Sequence, residues 1–123
     1  MEQFIVDYVV EHFKKNTSKK RLINNQQLDL LLQTDLNTTA FHDSGIRALV
    51  HYLRVNVDIV NENGEKGWIC ATTDGYYLSY NANDILLHLT SFEGKIAKMR
   101  RVHNKGLQVL MDKIYYKQQE LNF

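Results

Sequence analysis

Residues 45–54 have the sequence GIRALVHYLR, and they decide the fold class together with GWICAT at 67–72 and GYYLSY at 75–80. In the first stretch, apolar side chains recur every three or four residues, which predicts an amphipathic helix. The other two stretches are rich in aromatic and β-branched residues, and Asp74-Gly75 is a strong hairpin signal. The sequence therefore predicts a helix followed by a short antiparallel β-hairpin.

The helix at 42–54 has an inner and an outer face. Asp43 or Ser44 is predicted to cap its first turn. The apolar positions that face inward are Ile46, Leu49, Val50 and Leu53. The polar positions that share the outer surface are Arg47, His51 and Arg54.

Two further helices are predicted before this one. Residues 2–14 form an amphipathic helix whose inward positions are Phe4, Ile5, Tyr8, Val9 and Phe13. Residues 14–21 carry five basic side chains and no apolar anchor, which predicts a solvated connector and, secondarily, a phosphate-contacting segment. A second helix starts at an Asn25 cap, turns Leu28, Leu31 and Leu32 inward, and ends in the turn-rich residues 34–45.

After the helix at 42–54, the hydrophobic periodicity changes twice. NVDIV at 56–60 alternates apolar and polar residues, which predicts a half-buried strand. From an Asn83 cap, helical spacing returns at Ile85, Leu89, Phe92, Ile96 and Met99. This row loses phase at His103 and Gly106, so we expect the helix to end or kink at 104–106 before an apolar face restarts at Leu107 and Leu110.

The order of these elements predicts an α+β fold: a winged helix-turn-helix with a short antiparallel β-hairpin wing and a long C-terminal helical region. The 123 residues fit one domain, with a core at about 22–103, an N-terminal helix at about 2–14 and a C-terminal helical extension at about 104–121. Apolar residues make up 44 % and charged residues 24 % of the chain, as in ordinary globular domains.

The chain resembles a group of small bacteriophage and prophage proteins that have a winged-helix domain. Their pattern is an I-R-x-x-V/I-x-x-L-R helix leading into a strand, then a K/D-G-Y-Y/F strand and a helix that ends in basic residues. The matching positions are Ile46, Arg47, Val50, Leu53, Arg54, Gly75, Tyr76, Tyr77 and the stretch from Ser91 to Arg101. The resemblance covers about residues 22–103 and implies a winged-helix fold in a viral setting. Residues 1–20 and 107–123 have no counterpart in that pattern, and the segment NENGEKGW is longer than the pattern requires.

The sequence offers little for catalysis or for metal and cofactor binding. It has no Gly-rich phosphate loop, no H-E-x-x-H motif and no nucleophile elbow. Its five histidines are scattered, with no cysteine or carboxylate at ligand spacing, and a structural zinc site needs four convergent ligands. Cys70 lies in an alternating strand, where a small buried side chain is the usual role. We therefore expect a protein that is not an enzyme and has no metal or cofactor.

Duplex DNA is the first predicted partner. Arginine makes bidentate contacts with guanine or phosphate, and the amides at a helix start bind phosphate oxygens. The predicted DNA-binding residues come from the helix at 42–54, the wing and the C-terminal helical region. They are Ser44, Arg47, His51, Arg54, Lys66, Lys98 and Arg101. The alternative for the arginines is a surface role or an intramolecular ion pair with Asp43 or Asp58.

A second copy of the chain is the next predicted partner. The apolar positions that form the predicted homodimer interface are Ile85, Leu89, Phe92, Ile96, Met99, Leu107 and Leu110, and packing on the chain's own core is the alternative. The predicted function is a phage-encoded DNA-binding or regulatory accessory protein in the cytoplasm of the host bacterium. The formal charge of only +1 favours the alternative, a module of phage origin that binds a host or phage protein without DNA.

Overall fold

The computed structural model describes residues 1–42 and 45–121, with the last two described by their backbone alone. Its elements, in chain order, are α1 (Gln3–Asn16), α2 (Asn25–Leu36), α3 (Gly45–Asn56), β1 (Trp68–Thr72), β2 (Gly75–Ser79) and α4 (Ala82–Leu121). The predicted α+β class is confirmed. The described residues fall into two compact units: Met1–His88, called the N-terminal unit, and a second that begins at Leu89 within α4.

The core of the N-terminal unit is built from α1, α2, α3 and the hairpin. The predicted inner face of α3 is confirmed, because Ile46, Leu49, Val50 and Leu53 are all buried. Leu28 and Leu32 are buried on α2, whereas Leu31 is only half-buried. Side chains from all three helices therefore pack in one hydrophobic cluster. Full burial of one such side chain stabilises the folded unit by about 1.5–3 kcal/mol.

The predicted inward face of α1 is corrected at one position. Val6 is buried beside Ile5, Val9 and Phe13, while the Phe4 side chain is exposed. Because each residue of a helix is rotated by about 100° from the last, a face that includes Val6 turns Phe4 to the opposite side. The sequence has apolar residues at both positions, so spacing alone did not distinguish the two rotations.

The hairpin is confirmed, with its turn one residue earlier than its signal. Thr72 pairs with Gly75, which leaves Thr73 and Asp74 as the two turn residues. Gly75 is the first residue of β2 and has φ +146°, a conformation that side chains rarely adopt. The backbone of Ile23 runs alongside, with Ile23 N–H donating to Tyr76 O at 3.0 Å and Tyr76 N–H donating to Ile23 O at 2.7 Å. The glycine is required because a Cβ there would lie 2.7 Å from the Ile23 carbonyl oxygen.

The strand predicted at 56–60 is wrong. Residues 57–59 have no regular structure, and only Val60 forms an isolated bridge, with Lys66. The Asn61 side-chain oxygen accepts hydrogen bonds from the backbone N–H of Asn63 (3.0 Å) and of Glu65 (2.9 Å). A side chain that satisfies these two donors closes a local loop and replaces the ladder that a strand would need.

Two of the three predicted helix caps are displaced. Asn24, and not Asn25, caps α2 in a capping box with Gln27. Asn81, and not Asn83, caps α4, because its side-chain oxygen accepts from the backbone N–H of Asn83 at 2.8 Å and of Asp84 at 3.2 Å. The predicted cap of α3 by Asp43 or Ser44 lies outside the described residues.

The predicted end or kink at 104–106 is corrected as well, because α4 runs as a helix through these residues to Leu121. A glycine in a helix interior costs about 1 kcal/mol relative to alanine, which lowers helix stability without ending the helix. The chain contains no proline, the residue that would have stopped it.

Candidate nucleic-acid interface

The outer face of α3 presents two of the predicted DNA-binding side chains. Arg47 and His51 are exposed and lie one helical turn apart, on the side opposite the buried row. Within residues 1–42 and 45–121, neither side chain forms an ion pair. The face is therefore free within the described part of the chain, and its contact with DNA stays a prediction.

The segment before α3 is held by a polar contact from α2. His42 Nδ1 lies 2.8 Å from Asp29 Oδ2, and the same oxygen accepts from Gln33 Nε2 at 3.1 Å. Asp29 is buried and His42 is exposed, so the carboxylate anchors the imidazole at the surface. The sequence does not predict this pair, because nothing in the spacing links Asp29 to a histidine thirteen residues later. Ser44, predicted to bind phosphate at the helix start, lies outside the described residues.

Arg54 has a structural role, which corrects its assignment as a DNA contact. Its Nε and Nη2 donate to the carbonyl oxygen of Ile69 at 2.9 and 2.7 Å. The guanidinium also lies over the Trp68 ring, 5.7 Å from the centroid, a cation–π contact. Burial lowers the pKa of Arg54 from its usual value. Because two of its three nitrogens and one ring contact are used within the unit, Arg54 ties α3 to β1.

The two arginines of α3 are therefore expected to differ in a stability measurement. Arg54→Ala should lower the free energy of unfolding by about 1–3 kcal/mol, because it leaves the Ile69 carbonyl without its donors. Arg47→Ala, the matched control on the exposed face, should change it by less than about 0.5 kcal/mol. Urea unfolding of the two variants measures both values. Equal effects would show that the Arg54 contacts contribute nothing to stability.

The aromatic side chains of the hairpin are buried or half-buried. Tyr77 is buried, and Trp68, Tyr76 and Tyr80 are half-buried. Trp68 Nε1 donates to His88 Nδ1 at 3.0 Å, and Arg54 lies over the Trp68 ring. The aromatic residues therefore pack within the N-terminal unit. Lys66, the predicted DNA contact on the wing, is exposed. It lies before β1 and not in the hairpin, and its backbone forms an isolated bridge with Val60.

Part of the basic charge at 14–21 is neutralised within the chain. Lys15 Nζ lies 2.7 Å from a Glu11 carboxylate oxygen, and Lys19 Nζ lies 3.1 Å from Asp84 Oδ1. The hydrogen bonds from Lys19 and Ser79 hold the pKa of Asp84 below its usual value. Lys19 therefore joins the connector after α1 to the first turn of α4, and only part of this cluster is available to a phosphate.

From Leu89 onward, α4 carries exposed apolar side chains at helical spacing. This set, called the apolar row, consists of Leu89, Phe92, Ile96, Met99, Leu107, Leu110 and Ile114, whose exposed fractions range from 41 % to 71 %. Six of its members belong to the predicted homodimer interface. The seventh predicted residue, Ile85, is half-buried in the N-terminal unit.

The same part of α4 carries a second row, of basic side chains. Lys98, Arg101 and Lys105, called the basic line, are exposed and are spaced three and four residues apart. With about 100° between successive residues, this line lies on the face opposite the apolar row. Lys98 and Arg101 are predicted DNA contacts, and Lys105 belongs to the same basic stretch at 95–105, which the sequence presents as a phosphate-neutralising patch or as the solvated face of an amphipathic helix.

Charge is divided unequally along the chain. Residues 1–88 have eight basic and eleven acidic side chains, whereas residues 89–123 have seven basic and three acidic ones. The near-neutral total therefore conceals an acidic N-terminal unit and a basic helix. Attraction for a polyanion such as DNA is expected mainly along α4.

The described residues contain neither an exposed cysteine nor a group of three or more side chains suited to a metal ion. Cys70 is buried, and burial raises the pKa of its thiol, which keeps it in the unreactive protonated form. The described residues contain no group of three or more histidine, cysteine, aspartate or glutamate side chains suited to a metal ion. Nor does any helix among them have the length and apolar character needed to cross a membrane.

Comparison of the chain with protein-family models, with curated proteins and with solved structures gives no match. The resemblance to phage winged-helix proteins therefore rests on the sequence motifs alone.

Proposed function

We propose that the protein is a duplex-DNA-binding accessory protein of phage origin that works as a homodimer. The observation that carries this proposal is the basic line on α4. Residues 95–105 hold five basic side chains and no acidic one, and the line is exposed opposite the apolar row. A second copy that covers the apolar row would leave the basic line free for phosphates. No catalytic step is part of this proposal.

The winged-helix interpretation supports the same proposal. Three helices followed by a hairpin is the order expected for that fold, and the isolated Ile23–Tyr76 bridge pairs the segment before α2 with β2. In this interpretation α3 is the recognition helix, and Arg47 and His51 contact base edges or phosphates. The eight residues between α2 and α3 exceed the usual three- or four-residue turn of a helix-turn-helix, so the α2–α3 pair would be an extended variant.

A protein partner is the second candidate. The excess of acidic over basic side chains in residues 1–88 favours it, because the N-terminal unit then repels phosphates instead of attracting them. In this alternative, the unit binds a host or phage protein and the protein does not bind DNA.

Fluorescence anisotropy with labelled random-sequence and phage-derived duplexes at about 50 mM and 200 mM salt tests the DNA proposal. Lys98→Ala should weaken binding to all duplexes alike and lower the magnitude of the log–log salt slope by about 0.9, because one fewer phosphate is neutralised. Arg47→Ala should cost about 1–3 kcal/mol at a preferred site and relax the preference at one base pair. Lys15→Ala is the matched control, because Lys15 is already paired with Glu11.

The proposal fails if the folded protein binds no duplex more tightly than high micromolar at low salt. It also fails if Lys15→Ala and Lys98→Ala change the salt slope equally, since binding would then follow net charge alone. In either case the protein-partner candidate replaces it.

A further inference from the structure

The apolar row of α4 is large enough to require a partner. Its seven side chains are exposed within the described structure, although a helix gains most of its stability by burying such a face. Covering the exposed parts of these side chains on two copies would remove on the order of 1,000 Å² from water, the threshold for a specific interface. A second copy of the same helix therefore suffices to bury the row.

The borders of the apolar row are basic. Lys95 and Lys113 lie along one border and Arg100 along the other, and all three are exposed. Glu93 is acidic and lies on the same border as Arg100, seven residues away. We call Lys95, Arg100 and Lys113 the basic rim, which is distinct from the basic line on the opposite face.

Pairing of two copies brings members of the basic rim together in either orientation. In a parallel pair, Lys95 of one copy faces Arg100 of the other, because border residues five apart meet across such a seam. In an antiparallel pair aligned about Asn104, Lys95 of one copy lies across from Lys113 of the other, because the two residues are each nine positions from Asn104. Each like-charged pair opposes association, and each occurs twice by symmetry.

From this arrangement we infer that the apolar row is a seam between two copies whose pairing is opposed by its own basic rim and is promoted by anions. The phosphates of duplex DNA are the anions that fit, because they form a continuous line of negative charge beside a helix. DNA bound along α4 would screen the rim, so that binding and dimerisation reinforce one another. This coupling rests on the proposed DNA-binding function, whereas the opposition by the rim does not.

The coupling has to be reciprocal. If duplex DNA tightens the dimer by some factor, dimerisation tightens DNA binding by the same factor. The protein would then remain largely monomeric when free and would assemble where it meets nucleic acid. Salt would act in opposite directions on the two steps, since it screens repulsion across the seam but weakens phosphate contacts.

Sedimentation equilibrium of the full chain without DNA, at low and high salt, tests the seam. The wild-type dimer is expected to tighten as salt rises. Lys95→Glu turns two repulsive pairs into attractive ones, so its dimer should be about fourfold to thirtyfold tighter at low salt and should weaken as salt rises. Lys105→Glu makes the same charge change on the opposite face, and its dimer should match the wild type within about twofold.

The same measurement with a random-sequence duplex tests the coupling. The duplex should raise the dimer fraction of the wild-type protein and have much less effect on Lys95→Glu, whose rim no longer repels. A protein that stays monomeric at high micromolar concentration and high salt overturns the seam, and an acidic amphipathic helix of another protein would then fit the row better. Equal dimer affinities for Lys95→Glu and Lys105→Glu overturn the role of the rim.

Two remaining outcomes separate the inference from the proposed function. If the salt and charge effects appear but anisotropy finds no DNA binding, the DNA-binding function fails and the coupling fails with it, while the seam and its rim are supported. If DNA binds and the dimer fraction does not change, the coupling alone is overturned.

Discussion

Gly75→Ala should lower the free energy of unfolding of the N-terminal unit by about 3–5 kcal/mol. The residue has φ +146°, and a Cβ on it would lie 2.7 Å from the carbonyl oxygen and 2.8 Å from the carbonyl carbon of Ile23. Neither atom can move without breaking the two hydrogen bonds between Ile23 and Tyr76. The strain of the backbone conformation therefore adds to a clash that no side-chain rotation relieves.

Gly64→Ala is the matched control for this prediction. Gly64 also has a positive φ, +78°, but a Cβ there would meet nothing within 4 Å. Gly64→Ala should lower the free energy of unfolding only by the strain of the backbone conformation, about 1–2 kcal/mol. Urea unfolding followed by the fluorescence of Trp68, in the strand that pairs with Gly75, measures both variants. Similar losses from the two substitutions would show that the close approach of Ile23 has no energetic weight.

Leu53→Ala should destabilise the same unit by about 2–5 kcal/mol. Its side chain is fully buried, at 0 % exposure, between α3 and the rest of the core, so the substitution removes apolar burial and leaves a cavity. Val55→Ala, two residues later in α3, removes apolar atoms from a side chain that is 67 % exposed and should cost less than about 0.5 kcal/mol. Thermal unfolding of the pair checks this. Equal losses would mean that α3 is rotated from the orientation described.

The sequence predicted elements better than it predicted their edges. The inner face of α3 was correct because four apolar residues stand at helical spacing among polar neighbours, so only one rotation buries them. On α1, apolar residues occupy neighbouring positions from Phe4 to Val6, and the choice between them was made by tertiary packing. Caps failed for a similar reason, because Asn24 and Asn25 are equivalent as caps until a hydrogen bond selects one.

For the candidate site, spacing along one helix was the reliable guide. Arg47 and His51 were correctly placed on the outer face of α3, because the four buried apolar residues fix which side of the helix is exposed. Arg54 was wrongly placed there as a free side chain. Its partner, the Ile69 carbonyl, is fifteen residues away in a strand, and no pattern within α3 predicts that contact.

The Ile23–Tyr76 bridge also sets the order of events while the chain is being made. At about 5–20 residues per second, the 53 residues that separate the two partners take about 3–10 s to synthesise. Helix formation takes about a microsecond, but isolated helices of this length are marginally stable in water, so α1, α2 and α3 lack their stabilising partners until the strand that closes the unit emerges. A nascent chain stalled between α3 and β2 would expose a helical core that has not yet closed. Translation, which takes seconds, is therefore slower than helix formation and limits how soon the complete N-terminal unit can form in a cell.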